Sequence, residues 1–125
     1  MTRTYLTKQS VLFIHRRQIE IFGGSDGLRG EAGLESALMR PQTGYYVDVI
    51  AEAAALWESL SQNHPFIDGN KRTAFSSVDI FLGLNGLEIT VSVDESIDFI
   101  LGLYEGREFR FEKLEPWLRE HTATR

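Results

Sequence analysis

From Tyr46 to Gln62 the apolar residues Val49, Ile50, Ala53, Leu56, Trp57 and Leu60 recur at the spacing of one helix face, and after a short break the same spacing returns in Ala74, Phe75, Val78, Phe81 and Leu82. The break, Asn63 to Gly69, holds Pro65 and Gly69, so neither helix runs through it. The chain is thereby committed to two long helices folded about one tight corner. Alanines between Ala51 and Ala55 let a neighbour approach closely, which makes the first of the pair the best candidate for a central helix.

The flanking sequence is punctuated in the same way. Thr7 is a good N-cap for a helix over 8–22 with Val11, Leu12, Ile14, Ile19 and Phe22 as its apolar positions, and Gly23-Gly24 stops it. The glycine-rich stretch Gly23 to Gly33, with Ser25 and Asp26, reads as an exposed loop, a linker or lid. A short helix from Ala32 to Arg40 is ended by Pro41. Asp94 is the expected cap of a helix from Glu95 to Tyr104, and a last helix runs from Phe111 to His121 with Pro116 inside it. Leu87 to Val91 alternates as a strand does but has no evident partner, and counts as at most a minor extended segment. The sum is an all-α, single domain over residues 1–125 with about six helices, the size that one core usually serves.

Composition narrows the function. Hydrophobic residues make up 42%, including eight Phe and two Trp, enough to close a core without staples. There is no cysteine, and the three histidines are scattered, which leaves neither a disulfide framework nor a zinc set. Thirteen basic against eighteen acidic residues give a net charge of −5, the wrong sign for a protein that works by neutralising nucleic-acid phosphates. Met1 to Thr7 has no apolar run of the signal-peptide kind, and no stretch approaches the roughly 18 apolar residues of a membrane span. A cytoplasmic chain without membrane or direct nucleic-acid partner is expected.

The corner between the two long helices carries the chemistry. His64-Pro65-Phe66-Ile67-Asp68-Gly69-Asn70-Lys71-Arg72 gathers an imidazole, a carboxylate, an amide and two cations at the mouth of a helix. A helix N-terminus offers unpaired N–H groups, and Gly69 allows a ligand close to the backbone. Lys71 and Arg72 oppose the helix dipole there, at about 0.3–1 kcal/mol each when exposed, so two adjacent cations call for an anion. Asp68 is the hard oxygen ligand that Mg²⁺ riding on phosphates takes. His64 titrates near neutrality and suits the removal of a proton from an attacking hydroxyl. Phe66 and Ile67 are apolar pegs that seat the loop.

This run resembles the signature loop of the Fic/Doc superfamily in its death-on-curing variant. Fic adenylyltransferases read His-x-Phe-x-Asp/Glu-Gly-Asn-Gly-Arg with a second arginine three residues on; here Lys71 replaces the second glycine and Phe75 stands at the second arginine. Phe22-Gly23-Gly24, Gly33 to Leu38 with Arg40-Pro41, and Asn85-Gly86 extend the likeness over nearly the whole chain. The resemblance implies an all-helical fold around a central motif helix. It also implies a toxin of a toxin–antitoxin pair that moves the γ-phosphate of ATP, with Mg²⁺, to a Thr/Ser hydroxyl of translation elongation factor Tu, and is restrained by a Phd-like antitoxin. By motif position it makes His64 the general base, Asp68 the Mg²⁺ ligand, and Asn70, Lys71 and Arg72 with the Gly69 backbone the phosphate cradle. It places an extended acceptor flap within Gly30 to Arg40, at Leu34, Glu35 and Ser36.

Two other readings stand beside it: a Fic-type nucleotidyl transferase, on the retained Asp68-Gly69-Asn70 and Arg72, and a non-catalytic module that grips a partner. No internal Ser/Thr-x-x-x-Glu-Gly/Asn inhibitor is present, because Leu101 precedes Glu105-Gly106 at the required place. Of the residues outside the motif, His15 reads as a satisfied helix residue, His121 as a surface residue in a fraying end, Trp57, Phe75, Phe81 and Trp117 as core, and Arg107 to Arg110 with Phe109 as a solvated turn.

Overall fold

The structure, a computed structural model describing residues 2–125, contains α1 (Lys8–Phe22), α2 (Glu31–Met39), a 3₁₀ turn (Arg40–Gln42), α3 (Val49–Asn63), α4 (Asn70–Leu84), β1 (Leu87–Ile89), α5 (Val93–Glu105), α6 (Phe111–Glu120) and β2 (Thr122–Thr124). The all-α expectation is met, with six helices and one two-stranded ribbon. No helix among the described residues is long and apolar enough to cross a membrane.

The helix at the centre is α3, not the motif helix α4. Ala51 through Trp57, Ser59, Leu60 and Ser61 are all buried, and α2, α4 and α6 pack around it. The alanine run is what allows three neighbours at once. Trp57, 1% exposed, meets Phe75, Phe109 and Trp117 at ring-centroid distances of 5.6, 5.7 and 5.8 Å. Trp57 and Phe81 are fully buried as expected, while Phe75 and Trp117 are half-buried and pack on the core's edge.

Four sequence expectations are corrected. α3 begins at Val49 and not Tyr46, because the Asp48 side chain accepts from Ala51 N–H at 3.0 Å; Tyr46 instead accepts from Arg40 Nε at 2.7 Å. α5 is capped by Ser92, whose hydroxyl accepts from Glu95 N–H, and not by Asp94, which lies within the first turn. β1 has a partner: β2 pairs with it antiparallel, Ile89 opposite Thr122, so the C-terminal segment does not fray, and His121 holds Thr90 N–H on its carbonyl. Phe109 is core: it is 6% exposed, stacks on Tyr104 at 4.4 Å, and its carbonyl accepts from Gln62 Nε2. Pro41 does not simply end α2, since the chain tightens into the 3₁₀ turn that contains it.

Asp48 also receives both Nη groups of Arg119, at 2.9 and 3.1 Å. The Arg119 hydrogen bonds, and secondarily the Ala51 N–H, hold its carboxyl below the ordinary 3.8 against the opposing effect of burial. A carboxyl depressed in the folded state adds stability above its unfolded pKa and loses it as pH falls through the folded one. Asp48→Ala is therefore expected to cost about 0.5–2 kcal/mol near neutral pH, the usual cost of a lost cap. The difference from the parent should shrink as the pH is lowered below about 4, which denaturant melts at several pH values check.

Candidate active site

α3 ends on His64, whose backbone turns left-handed at φ 44, ψ 57. That conformation costs a non-glycine residue on the order of 1 kcal/mol or more, and here it reverses the chain directly into the loop. Pro65 and Phe66 are buried, so the loop is pegged to the core exactly where the imidazole leaves it. The Asn70 amide closes the loop from the far side: Nδ2 donates to Phe66 O at 2.9 Å and Oδ1 accepts from Phe66 N–H at 3.0 Å. Gly69, at φ 76, supplies the left-handed step into α4.

The glycine-rich segment is neither a linker nor detached from this loop. Leu28 bridges Phe66 in antiparallel register: Ile67 N–H donates to Gly27 O at 3.1 Å, while Arg29 and Gly30 N–H donate to Pro65 O at 2.7 and 2.9 Å. Arg29 Nη2 donates to His64 O, and Ser25 N–H to Asp68 Oδ2 at 3.3 Å. Two of its glycines are sterically required. A Cβ on Gly24, at φ 114, would sit 2.6 Å from Asp68 Oδ2, and one on Gly27, at φ 140, would sit 2.7 Å from the Ile67 side chain.

His64, Asp68 and Lys71 are exposed along one groove of about 270 Å³ with Ile67, Gly69, Asn70 and Arg72. His64 also borders a second groove of about 360 Å³ lined by Ser61, Gln62, Tyr104, Arg107, Phe109 and Arg110, so the imidazole stands where two depressions meet. Its ring has no hydrogen-bond partner among the described residues. Burial pushes the Tyr104 phenol above its ordinary value, and the neighbouring Ser61 hydroxyl opposes that shift. The two cations are splayed on either side of the α4 N-terminus: Lys71 Nζ lies 4.3 Å above the Tyr104 ring, and Arg72 lies 5.3 Å above Phe22 while Nη2 donates to Gly23 O at 3.1 Å. Gly69 provides no side-chain cap, and the first-turn N–H groups of α4 face the groove without the acceptor that other helices receive from Thr7, Asp48 or Ser92.

The structure thus brings His64, Asp68, Gly69, Asn70, Lys71 and Arg72 together. It changes how Asn70 can serve: with its amide spent on Phe66, only its backbone N–H is left for a phosphate. The expected flap at Leu34, Glu35 and Ser36 is not an extended edge. These residues lie within α2, and Leu34 is fully buried, because their spacing turns one side of a helix to the core. The extended segment beside the motif is Gly27 to Arg29. Phe75 packs at 5.6 Å on Trp57 and faces the core edge in place of a phosphate-binding arginine.

Asp68 suits a Mg²⁺ that arrives on a triphosphate and not one held by protein alone. Its Oδ1 accepts from Gly69 N–H at 2.8 Å, and no cluster of three His, Cys, Asp or Glu able to hold a metal exists among the described residues. Gly24→Ala would drive a Cβ into that carboxylate, whereas at Gly23, φ 82, a Cβ meets nothing within 4 Å. Calorimetry with magnesium nucleotide is expected to show about a tenfold affinity loss for Gly24→Ala and much less for Gly23→Ala, although both strain the backbone.

A helical domain with a histidine at one helix end, an acid in the loop and an open N-terminus on the next helix is the arrangement of a known family, and residues 5–82 match the Fic/DOC family; the chain belongs to it. Among its relatives, Toxin Doc of Mycolicibacterium smegmatis is 42% identical over 78 residues, 58% of this chain and 60% of that protein. The matched part is thus under two thirds of that relative's length. Protein kinase doc of Escherichia phage P1 is 26% identical over 106 residues, 82% of this chain and 83% of the phage protein. Both relatives carry the death-on-curing name that the motif variant pointed to.

Proposed function

We propose that this protein is the toxin of a toxin–antitoxin pair and a Mg²⁺-ATP-dependent protein kinase that phosphorylates a Thr/Ser hydroxyl of translation elongation factor Tu. The observation that carries the choice of phosphoryl over nucleotidyl transfer is the pair of departures from the Fic pattern. Phe75 is committed to Trp57, and Lys71 fills what a glycine would leave open. A triphosphate deprived of the second arginine and met by a lysine side chain lies differently, and its pose decides which phosphorus stands in line with the acceptor. The name of the phage relative supports the same choice.

In this reading the free N–H groups of α4, with Lys71 and Arg72, hold the phosphates. Asp68 would hold Mg²⁺, which when bound offsets charge on the phosphate oxygens. His64 accepts the proton of the acceptor hydroxyl as that oxygen bonds to the γ-phosphorus; the bond to the β,γ-bridging oxygen breaks, and ADP leaves. The outer edge of Gly27 to Arg29, whose inner edge is spent on Pro65 and Ile67, offers main-chain pairing to an acceptor segment with little demand on its sequence.

Incubation with elongation factor Tu and ATP labelled on the γ- or the α-phosphate tests the proposal. Label from γ with release of ADP is expected; label from α alone overturns it in favour of adenylyl transfer. A cognate Phd-like antitoxin is the expected restraint, and an adjoining reading frame for a small DNA-binding protein with a disordered tail would be its source.

A further inference from the structure

His15 is buried on the inner face of α1, 2% exposed. Its ring is satisfied, as the sequence led one to expect, but by the candidate site. Nε2 lies 2.8 Å from the Asp68 carbonyl, which only accepts, so this nitrogen carries the proton. The ring face lies on Phe66, centroids 3.8 Å apart and planes within 5°. Nδ1 is turned toward Asp26 of the glycine-rich loop, 3.6 Å from Oδ1, and Cδ2 lies 3.8 Å from where a Gly69 Cβ would be.

The geometry points to His15 as a positioning residue for the transfer reaction, an inference that rests on the phosphate and Mg²⁺ roles proposed above for Asp68 and the α4 N-terminus. The peptide joining Asp68 to Gly69 precedes a glycine and so has little steric restraint on rotation of its plane. Were it to turn, the Gly69 N–H would leave Asp68 Oδ1, and the carboxylate and the first N–H groups of α4 would lose their common aim. The His15 N–H holds that carbonyl. Phe66 fixes the ring that donates it, and Asp26 brings the glycine-rich loop to the other edge of the same ring. One side chain of α1 thereby registers both loops that border the groove.

The test compares His15→Leu, which keeps bulk without a donor, with His15→Gln, whose amide N–H reaches toward the Nε2 position. In the full chain without nucleotide, amide hydrogen exchange is read at Ile67, Arg29 and Gly30, whose N–H groups cross between the two loops. His15→Leu is expected to speed exchange there about tenfold and leave α3 and α6 unchanged. With magnesium ATP and elongation factor, it should lower kcat about tenfold with little change in the KM for nucleotide, and His15→Gln should recover most of both effects. Should His15→Leu fail to fold, Asp26→Ala is expected to speed exchange at Arg29 and Gly30 in a folded chain.

Equal behaviour of the Leu and Gln variants, whether both match the parent or both fall together with thermal stability, overturns the inference. So does an unchanged Asp26→Ala where that variant is the one available. If the parent itself transfers no phosphate, the kinase reading has failed, and the exchange comparison, made without nucleotide, still decides whether His15 clamps the loops.

Discussion

His64→Ala is expected to slow phosphate transfer by about 10²–10⁴-fold, the usual contribution of a general base, with little change in unfolding midpoint. The ring is exposed, lacks an internal hydrogen-bond partner among the described residues and stands at the junction of two grooves, so its loss empties no core space. His64→Gly is the stricter variant, because glycine adopts the left-handed backbone of this position without strain while it also removes the base. Transfer by either variant at the parental rate would remove His64 from the chemistry, and persistence of toxicity in both would favour a partner-binding module.

Trp57→Ala is expected to destabilise the fold by about 3–5 kcal/mol, the range for removing a large buried aromatic. Trp57 is 1% exposed, and its ring is shared among α3, α4, α6 and the turn before α6 through Phe75, Trp117 and Phe109. The surrounding helices cannot all collapse into one gap. Single domains are stable by about 5–15 kcal/mol, so this loss consumes a large part of the total. Denaturant titration should show a much lower midpoint, whereas Phe13→Ala, at a side chain 65% exposed, should fall within about 0.5 kcal/mol of the parent. A small shift at Trp57 would mean that the aromatic cluster is not what joins the helices.

Much of the architecture was legible because it follows local rules. The Thr7 cap, the glycine stop after Phe22 and the corner at Pro65 and Gly69 act within a few residues, and α1 and α4 begin where they were expected. Asp48 and Ser92 were legible in principle as caps, but apolar spacing on one side and a tempting Asp94 on the other drew the boundaries elsewhere. The pairing of β1 with β2 was not legible: two short segments far apart in the chain meet only when α6 has packed on α3. Within the site, the only sign of His15 was a polar residue on an apolar helix face, and nothing in its neighbourhood named Asp68 as its partner.

By itself the amino-acid sequence determined the helical class, the corner and the residue types that meet there, since periodicity, proline and glycine act on the nearest turns of chain. Only the tertiary structure decided which helix lies at the centre, which segment runs extended beside the motif, and how the Asn70 and His15 side chains are spent. These are contacts between parts of the chain remote in sequence, and packing around α3, not local preference, brings them within hydrogen-bond reach.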